Sequence, residues 1–400
     1  MRILVVSPFL PFPLDSGGCI RIYNIIYALS QNHELTLLSY VSSDDGRFVK
    51  QLESICNVIP IPFSPTRRKP IYHARHFLSK LPFSLVFKDP LFKKKLAECA
   101  TQKFDIVQFE FLPFAHYIDL FPAKTKRVVV EHYIATQARK KLLSLWKPGL
   151  KKFYYAAELC KIKRYERDIL RKFELCLVTS QKDQDFITKY CKPRQVMVSP
   201  NGVDINFFSS QSRRSNEAAD LAGPSLVYMG SFDLDPANID GLAFLIEEIW
   251  PLIKKEVPAV RLEVMGRGLP KGFMDNFRDE SIHIHGYVED IRPVLNKADV
   301  FVLPLRGGSG TKIRILTAMA TGIPVVATEM ASEGIEIQPE KNILIGNDPA
   351  SFADKTIRLL KDIGMNREIG FGGRKLVEKQ YGWNPIARAL ENRYLGLIDS

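Results

Sequence analysis

The chain contains 400 residues, of which 46% are hydrophobic and 25% are charged. This length and apolar content support a large core and predict more than one domain. No apolar stretch reaches the ~20 residues that a membrane-spanning helix needs, so a helical integral membrane protein is excluded. The 56 lysines and arginines outnumber the 44 aspartates and glutamates, and the net charge of +12 favours acidic partners: nucleotide diphosphates, anionic lipid surfaces or nucleic acid.

The six cysteines are scattered and include no C-x-x-C pair, so their pattern does not predict a zinc or redox site. It fits buried thiols in a reducing cytosol. The N-terminal run MRILVVSPFLPFP is short and interrupted by proline, and we interpret it as the first strand of a sheet, not as a signal peptide. We expect the protein in the cytoplasm, either free or attached peripherally to a membrane.

The first half of the chain alternates short apolar runs with helical patterns. Its opening strand, RILVVS, is followed by the loop PFLPFPLDSGG and the helix CIRIYNIIYALSQ. The later elements, in chain order, are a strand at HELTLLSYV, a basic and partly helical stretch at 65–100, strands at FDIVQFE and KRVVVEH, a long basic helical region at about 136–173, a strand at ELCLVTS, a helix at QKDQDFITKYC and a closing segment at QVMVSPNGVD. The polar stretch SSQSRRSNEAADLAGPS is interpreted as a linker or surface loop.

The second half repeats this alternation. Its predicted strands are SLVYMGS, VRLEVMGRG, SIHIHGYV, ADVFVLPL and PVVATEM. Repeated βα units with apolar strands predict an α/β protein of two Rossmann-like, doubly wound parallel-sheet domains that face a cleft, with ligands at the carboxyl ends of the strands. We predict an N-terminal domain at 1–205, a C-terminal domain at 206–380, and a helix at 381–400 that packs back on the first domain.

The segment 301–336 carries the strongest functional signal. It reads as a strand (FVLPL), a glycine-rich loop (RGGSGTK), an amphipathic helix (IRILTAMA), a turn at Gly322 and a second strand (PVVAT). A glycine loop at a helix N-terminus presents backbone N–H groups and a favourable dipole to a phosphate. Arg306, Lys312 and Arg314 would add positive charge, and Lys312 is nearest the helix start. The alternative is an ordinary βαβ crossover whose glycines serve packing.

Two other places in the first half carry candidate residues. Gly17 and Gly18 would let a diphosphate or a sugar approach the backbone closely, or else they form a plain turn. Arg21, one turn into the helix, is either a helper or a surface residue. His132 ends the strand VVVEH and would hydrogen-bond a sugar hydroxyl, with a purely structural hydrogen bond as the alternative. Glu110 ends the strand IVQFE and is a weaker candidate, structural or facing the acceptor.

The strand ends of the second half add further candidates. Gly230 and Ser231 end its first strand. In HGYVED the backbone would pair with the edge of a base and Tyr287 would contact the ring, although a structural turn fits nearly as well. The glycines of MGRG do not complete a dinucleotide fingerprint, so NAD binding is disfavoured.

The region 139–172 holds twelve lysines and arginines against three acidic residues, with aromatic residues between them. One interpretation is contact with an anionic membrane surface that brings the protein to a lipid-linked acceptor. The other is a solvated helix face, which is common for charge runs. No recognised nucleic-acid-binding module is present, so nucleic acid is not an expected partner.

Six motifs, taken in their order and spacing, resemble the family-4 retaining glycosyltransferases of the group 1 type. They are PFPLDSGGCIRIYN, SPNGVD, VYMGSFD, HGYVEDI, the segment 301–336, and YGW before the last helix. The resemblance covers nearly the whole chain and implies the GT-B fold. It also implies that a sugar moves from a nucleotide-sugar donor to a sugar, lipid-linked or small-molecule acceptor, in polysaccharide, glycolipid or other glycoconjugate biosynthesis, without a metal or cofactor.

The resemblance also implies roles for individual residues. Catalytic roles fall to His132, Arg306 and Lys312. Donor-binding roles fall to Gly17, Gly18, Gly230, Ser231, Tyr287, Val288, Ser309, Gly310, Thr311, Thr317 and Glu333.

Two departures from the family pattern are visible in the second half. The loop SFDLDPANID lacks the basic pair with which many relatives grip the diphosphate, so Arg306, Lys312 or Arg314 would supply that charge. Ser309 and Thr317 stand where the family usually has two glutamates, and threonine lacks the charge and bidentate reach of a carboxylate toward ribose hydroxyls. These departures keep a second interpretation open: a catalytically weak or inactive nucleotide-sugar-binding partner subunit of a glycosyltransferase.

Overall fold

The structure is a computed structural model of the chain. It describes residues 1–14, 16–63, 81–82, 85–86, 88–145, 149–208, 223–233, 236–277, 279–308 and 311–399. Much of the predicted basic stretch at 65–100 and most of the predicted linker lie outside these residues. The chain divides into two compact units, one formed by Met1–Pro200 with Ala387–Ser400 and the other by Asn201–Ile386.

The first unit is built on a seven-stranded sheet whose neighbouring strands are all parallel. Its strands are β1 (Arg2–Ser7), β2 (Glu34–Val41), β3 (Asn57–Pro62), β4 (Ile106–Glu110), β5 (Lys126–Glu131), β6 (Leu175–Val178) and β7 (Val196–Val198). They lie in the order β3-β2-β1-β4-β5-β6-β7. The order reverses between β1 and β4, and in open α/β sheets the crevice at such a switch point is where ligands bind.

Helices connect these parallel strands. They are α1 (Gly17–Ser30), α2 (Gly46–Glu53), α3 (Pro90–Ala100), α4 (Ala135–Leu145), α5 (Leu150–Leu170) and α6 (Gln181–Tyr190), with short 3-10 turns at Ser43–Asp45 and Leu112–Leu120. The predicted basic helical region at 136–173 is thus two helices. Residues 146–148, between these two helices, lie outside the described residues.

Helix α1 shows how the sequence builds these layers. The Ser16 side chain caps it by accepting a hydrogen bond from the backbone N–H of Cys19, at 3.4 Å. Its apolar residues recur at helical spacing, and the face they form is buried; it comprises Cys19, Ile22, Ile25, Ile26 and Leu29. The cap and the apolar face together fix where α1 begins, directly after the loop that follows β1.

The second unit repeats the same plan with six strands, again parallel throughout. They are β8 (Ser225–Met229), β9 (Arg261–Met265), β10 (Ile282–Gly286), β11 (Val300–Leu303), β12 (Val325–Ala327) and β13 (Leu344–Ile345), in the order β10-β9-β8-β11-β12-β13. This order reverses between β8 and β11. The α/β class with two doubly wound parallel sheets, predicted from the sequence, is therefore confirmed.

The second unit's helices are α7 (Pro236–Phe244), α8 (Trp250–Glu256), α9 (Arg292–Leu295), α10 (Ile313–Thr321), α11 (Glu329–Ser332), α12 (Pro349–Lys361) and α13 (Ile363–Gln380), with a π-helical turn at Leu245–Ile249 and a 3-10 turn at Phe273–Asn276. Gly322 ends α10 in the left-handed region, at φ 77°, where glycine avoids the Cβ penalty. In the described ranges, no helix is long and apolar enough to cross a membrane.

The last helix, α14 (Trp383–Ile398), brings the chain back to the first unit from Ala387 onward. Glu391 binds there to Asn32 at 3.1 Å and to His33 at 2.8 Å. Tyr394 is fully buried among first-unit residues. The first unit is therefore assembled from two separated stretches of sequence.

Candidate active site

In the first unit, the predicted residues lie around the switch point between β1 and β4. Gly17 and Gly18 form the start of α1, Glu110 is the last residue of β4, and His132 directly follows β5. The strands are parallel, so their carboxyl ends meet at one edge of the sheet. Residues far apart in sequence are thereby brought to one place.

His132 and Glu110 form a direct pair. The His132 Nε2 lies 2.6 Å from Glu110 Oε2, and the two side chains are 9% and 3% exposed. Burial lowers the pKa of His132, opposed by the Glu110 carboxylate and reinforced by the positive charge of Arg21. In the neutral ring, Nε2–H donates to Glu110 and Nδ1 is left as an acceptor. Glu110, a weaker candidate from the sequence, is thus the residue that orients His132.

The pair continues into a buried polar chain. Gln108 Nε2 donates to Glu110 Oε1, and Gln108 Oε1 accepts a hydrogen bond from the Tyr394 hydroxyl. Gln108 and Glu110 are two positions apart on β4 and so project from the same face of the sheet. Gln108 and Glu110 are each 2% exposed, and Tyr394 is fully buried. Four side chains thus form one continuous hydrogen-bonded network.

Arg21 lies beneath this network and is not a surface residue, which corrects one of the two readings that its sequence position allowed. It is 2% exposed and donates to the Pro200 carbonyl at 2.8 Å and to Ser199 Oγ at 2.9 Å. Burial lowers its pKa, and the nearby Glu110 and Tyr394 act in the opposite direction. The guanidinium therefore supplies the buried opposite charge that a desolvated Glu110 carboxylate requires.

Two phenylalanines cover the histidine end of the network. The ring of Phe111 stacks on His132 with centroids 3.8 Å apart and planes within 10°. Phe111 holds a φ of 72°, which is strained for a bulky residue and typical of functional sites. A Cβ on Gly18 would lie 3.1 Å from the Phe9 ring and 3.3 Å from the Phe111 ring. The glycine therefore allows both rings to pack closely against the start of α1.

In the second unit, the glycines at the ends of β8 and β9 pack backbone against backbone. A Cβ on Gly266, whose φ is 143°, would lie 1.7 Å from the Gly230 carbonyl oxygen. The Gly230 N–H donates to the Met265 carbonyl at 3.0 Å. The glycines of MGRG thus serve a close approach of two loops, and NAD binding gains no support from them.

Arg314 supports the loop that follows β8. Its guanidinium donates to the Met229 carbonyl at 2.5 Å and to Asn238 Oδ1 at 2.6 Å. The Asn238 amide in turn donates to the Ser231 carbonyl at 2.8 Å. Arg314 and Asn238 therefore fix the conformation of the loop that contains Gly230 and Ser231.

Arg306 is held at the surface of α7. It pairs with Asp240 at 2.6 Å, approaches Glu248 at 3.6 Å, and its guanidinium lies 4.5 Å from the centre of the Phe244 ring. The hydrogen bond to Asp240 raises its pKa. A phosphate would have to compete with these two carboxylates for Arg306, and its catalytic role stays a prediction.

Lys312 occupies the N-cap position of α10 and is only 8% exposed. This burial argues against a solvent-facing lysine. The adjacent Thr311 Oγ1 is buried and has no hydrogen-bond partner within the described ranges. Ser309 and Gly310 lie outside those ranges. Thr317 is on α10 and is 6% exposed. A hydroxyl and an ammonium group therefore lie at the start of this helix, where the dipole favours an anion.

The remaining donor-binding candidates lie at other strand and helix ends of the second unit. Tyr287 and Val288 follow β10, where Tyr287 is 59% exposed and Val288 is half-buried. Glu333 directly follows α11 and is half-buried. Their contacts with a donor stay predictions.

Sequence reasoning assigned no role to two residues of the network, Gln108 and Tyr394, or to Phe111, which stacks on His132. A signal existed for Gln108, because a glutamine and a glutamate two positions apart in the apolar strand IVQFE indicate a buried polar pair. Tyr394 carried no local signal. Across the part of the chain that the structure describes, no group of three or more His, Cys, Asp or Glu residues is arranged to hold a metal ion.

The chain is similar to several curated proteins. It is 24% identical over 394 residues to an uncharacterized 44.6 kDa protein in the cps region of Klebsiella pneumoniae, covering 95% of this chain and 96% of that protein. It is 27% identical over 206 residues to the phosphatidyl-myo-inositol mannosyltransferase of Mycobacterium tuberculosis, covering 49% of this chain. That match spans only about half of the mannosyltransferase, 52% of its length.

Solved structures share the fold across the whole chain. Sucrose-phosphate synthase from Thermosynechococcus elongatus superposes with a TM-score of 0.76 at 17% identity, covering all of both chains. HepE of Anabaena, solved in complex with UDP, gives a TM-score of 0.70 at 16% identity and covers 99% of this chain and 100% of HepE. At these identities the likeness shows the fold alone.

The match to a protein family falls on the second unit. Residues 223–362 match the family described as glycosyl transferases group 1. This range runs from β8 to the end of α12 and contains the switch point, the glycine loop and Lys312. Over these residues the second unit matches the group 1 glycosyl transferases, and the mannosyltransferase relative and the fold of both units agree with that match.

Proposed function

We propose that this chain transfers a sugar from a nucleoside diphosphate sugar to a hydroxyl group of its acceptor, with retention at the anomeric carbon and without a metal or other cofactor. The acceptor we propose is a saccharide or lipid-linked glycan of a polysaccharide, glycolipid or other glycoconjugate. The similar Klebsiella protein is named for a cps region, a mycobacterial relative is named as a phosphatidyl-myo-inositol mannosyltransferase, and HepE was solved with UDP.

The observation that carries this proposal is the start of α10. Lys312 is buried there at the positive end of a helix, after a glycine loop, and the neighbouring Thr311 hydroxyl is buried with no hydrogen-bond partner among the described residues. When the bond between the anomeric carbon and the diphosphate oxygen breaks, negative charge develops on the diphosphate. An ammonium group and a helix N-terminus stabilise that charge without reorganising.

His132 would serve the sugar. With Nε2–H engaged by Glu110, its Nδ1 accepts a hydrogen bond from a sugar hydroxyl and orients the ring that becomes oxocarbenium-like. Retention requires the acceptor hydroxyl to approach the anomeric carbon from the face that the diphosphate leaves. Because the Glu110 carboxylate fixes the orientation of His132, the histidine would hold the sugar in one orientation during that exchange.

The test is a panel of nucleotide sugars assayed for release of nucleoside diphosphate, with and without EDTA, alongside calorimetric binding of UDP and GDP. Lys312→Ala is the test variant, and Lys271→Ala is its control, because Lys271 is an exposed lysine of the same unit. We expect turnover that EDTA leaves intact and a loss of nucleotide binding in Lys312→Ala only. Binding without turnover by any donor would instead support the non-catalytic partner subunit, an alternative that the relatives do not favour.

We further propose that α5 brings the chain to an anionic membrane surface. Two of the three acidic residues in this region, Glu158 and Glu166, are buried at 2% and 1% exposure, whereas Lys163 and Arg167 are exposed. Phe153 is 77% exposed on the same helix. The outer surface of α5 is therefore more basic than its sequence suggests, and it carries an aromatic ring that can enter a lipid interface.

Sedimentation with vesicles tests this attachment. The chain should pellet with vesicles containing phosphatidylserine at low salt and be released as salt rises, because the charges are screened. The double variant Lys163→Glu with Arg167→Glu should stay in the supernatant. A matched charge reversal on the second unit, Lys255→Glu with Lys271→Glu, should pellet like the wild type. Equal pelleting of both double variants would exclude α5 as the contact.

A further inference from the structure

We infer that Tyr394, on the C-terminal helix, is a positioning residue for His132 and acts on it through Gln108 and Glu110. The inference deepens the proposed function and rests on it, because it assumes that His132 serves the substrate. Tyr394 itself would touch no substrate. Its role would be to fix the orientation of side chains that do.

The chemistry of the network fixes the direction of every hydrogen bond. An ionised Glu110 only accepts hydrogen bonds, so the Gln108 amide must turn Nε2 toward it and His132 must present Nε2–H. The Gln108 Oε1 is then turned toward Tyr394, which must donate. One arrangement of protons satisfies all four side chains, and it ends with Nδ1 of His132 as the acceptor.

Burial makes this arrangement rigid. Gln108 and Glu110 are each 2% exposed and Tyr394 is fully buried, so water is poorly placed to replace a lost partner. A buried polar atom left without its partner costs about 1–3 kcal/mol. The Tyr394 hydroxyl is what satisfies Gln108 Oε1. Without the Tyr394 hydroxyl, rotation of the Gln108 amide away from Glu110 becomes more favourable.

The charges around the network keep Tyr394 a donor and Glu110 an acceptor. Burial and the nearby Glu110 raise the pKa of Tyr394 well above its usual value, so the phenol keeps its proton. Arg21, itself buried, places a positive charge close to Glu110 and balances the carboxylate. The alternative is that Tyr394 serves only the packing of α14. Packing alone predicts no effect on the titration of the histidine.

The direct test is the titration of His132 by NMR in the full chain labelled with ¹⁵N-histidine. His132→Gln assigns the signal among the seven histidines of the chain. Tyr394→Phe and Gln108→Leu both remove the donor support of Glu110, and the freed carboxylate then stabilises the imidazolium more strongly. We expect the midpoint of His132 to rise in both variants. The double variant should titrate like Gln108→Leu alone, because the two residues act in series.

Tyr381→Phe is the matched control, because Tyr381 is also a buried tyrosine with a hydrogen-bonded hydroxyl but belongs to the second unit. It should leave the midpoint of His132 unchanged. Should Tyr394→Phe, folded by circular dichroism, also leave the midpoint unchanged, the positioning role is overturned. Additive shifts in the double variant would overturn the route through Gln108.

Activity gives a second readout once a donor is known. Tyr394→Phe should lower kcat roughly two- to tenfold, the ratio that one hydrogen bond represents, with little change in KM for the donor. The acid limb of its kcat profile should move up in pH together with the NMR midpoint. The NMR arm needs no turnover. If no donor is turned over but the His132 midpoint still shifts in these variants, the proposed function is refuted. The positioning of His132 by Tyr394 then still stands.

Discussion

The two sheets of this protein have the same kind of strand order, but different chemical groups lie at their switch points. At β1 and β4 of the first unit, the site consists of side chains that are buried and hydrogen-bonded to one another. At β8 and β11 of the second unit, it consists largely of glycine backbone and a helix N-terminus, while Arg306 and Arg314 are held by protein partners. We therefore expect the same topology to support two kinds of recognition, one of a neutral hydroxyl in a fixed orientation and one of an anion.

The two switch points also differ in what they offer a ligand: the first offers oriented side chains, and the second offers backbone donors and positive charge. The histidine network orders four side chains in the absence of a ligand, so a sugar bound there as proposed would meet a preorganised acceptor. Backbone donors at a helix start cost no side-chain entropy and tolerate small displacements of an anion. We therefore expect changes in the first unit to affect rate and changes at the start of α10 to affect nucleotide affinity.

The largest expected effect comes from His132→Gln. Loss of the ring nitrogen that meets the sugar should lower kcat by about 10²–10⁴-fold, the range of a positioned acid–base group. The Kd of the nucleoside diphosphate should not change, because the predicted nucleotide contacts lie in the second unit. Steady-state kinetics and calorimetry on the same preparation measure both quantities. His283→Gln, a change at an exposed histidine of β10, is the control. An equal loss of nucleotide affinity would contradict this division of roles.

The second largest effect should come from Lys312→Ala, which should change the affinity for the nucleoside diphosphate. Removing a charge-assisted contact should weaken binding of the nucleoside diphosphate by ~1–3 kcal/mol. Calorimetry with UDP and GDP measures the effect, with Lys271→Ala as the reference. Unchanged affinity would remove Lys312 from the site and turn attention to Arg306, despite its pairing with Asp240.

Glu110→Gln should have a smaller effect and a distinct pH signature. The carboxylate counteracts the lowering of the His132 pKa by burial, so its removal should lower that pKa further. If the neutral ring is the active form, the acid limb of kcat moves to lower pH, while the looser ring lowers the plateau by roughly tenfold. A limb that stays in place would contradict the stabilisation of the imidazolium by Glu110.

The smallest expected effect concerns stability and lies outside both sites. Glu131, at the end of β5, is buried, and its Oε1 has no hydrogen-bond partner within the described residues. Burial raises its pKa well above the usual value, with Glu166 and Asp183 adding to the shift. The folded chain then binds a proton that the unfolded chain releases above about pH 4.5, so this residue's contribution to stability falls as pH rises.

Glu131→Gln should therefore flatten the pH dependence of unfolding. The variant should match the wild type near pH 4.5 and exceed its free energy of unfolding by about 1 kcal/mol near pH 8. Urea titrations at several pH values measure the difference. Parallel curves for the two proteins would show that Glu131 finds a partner in solution.

Local signals in the sequence predicted the second unit better than the first. The strand–glycine loop–helix unit ending in Gly322 was correct, because glycine conformation and helical periodicity are properties of neighbouring residues. By contrast, Tyr394 and Gln108 are 286 residues apart, and Arg21 is 179 residues from the Pro200 carbonyl that it binds. No local pattern shows that these residues bind each other, since only the completed sheet brings them together.

The charge around the glycine loop shows the same limit. Basic residues near the loop suggested three cations for a diphosphate, yet the two arginines are held by protein partners. Arg314 is bound to Met229 and Asn238, and Arg306 to Asp240. The sequence contains these partners but not their distance. Lys312 kept its predicted position because an N-cap position follows from the helix pattern itself.

The division of the first unit into Met1–Pro200 and Ala387–Ser400 has a consequence for synthesis. Chains emerge from the ribosome at about 5–20 residues per second, and domains generally fold as units as they appear. All of Asn201–Ile386 is made before the segment that carries Tyr394. We therefore expect the second unit to complete its fold first, while the first unit lacks the hydrogen bond from Tyr394 to Gln108 until the segment that begins at Ala387 has been made.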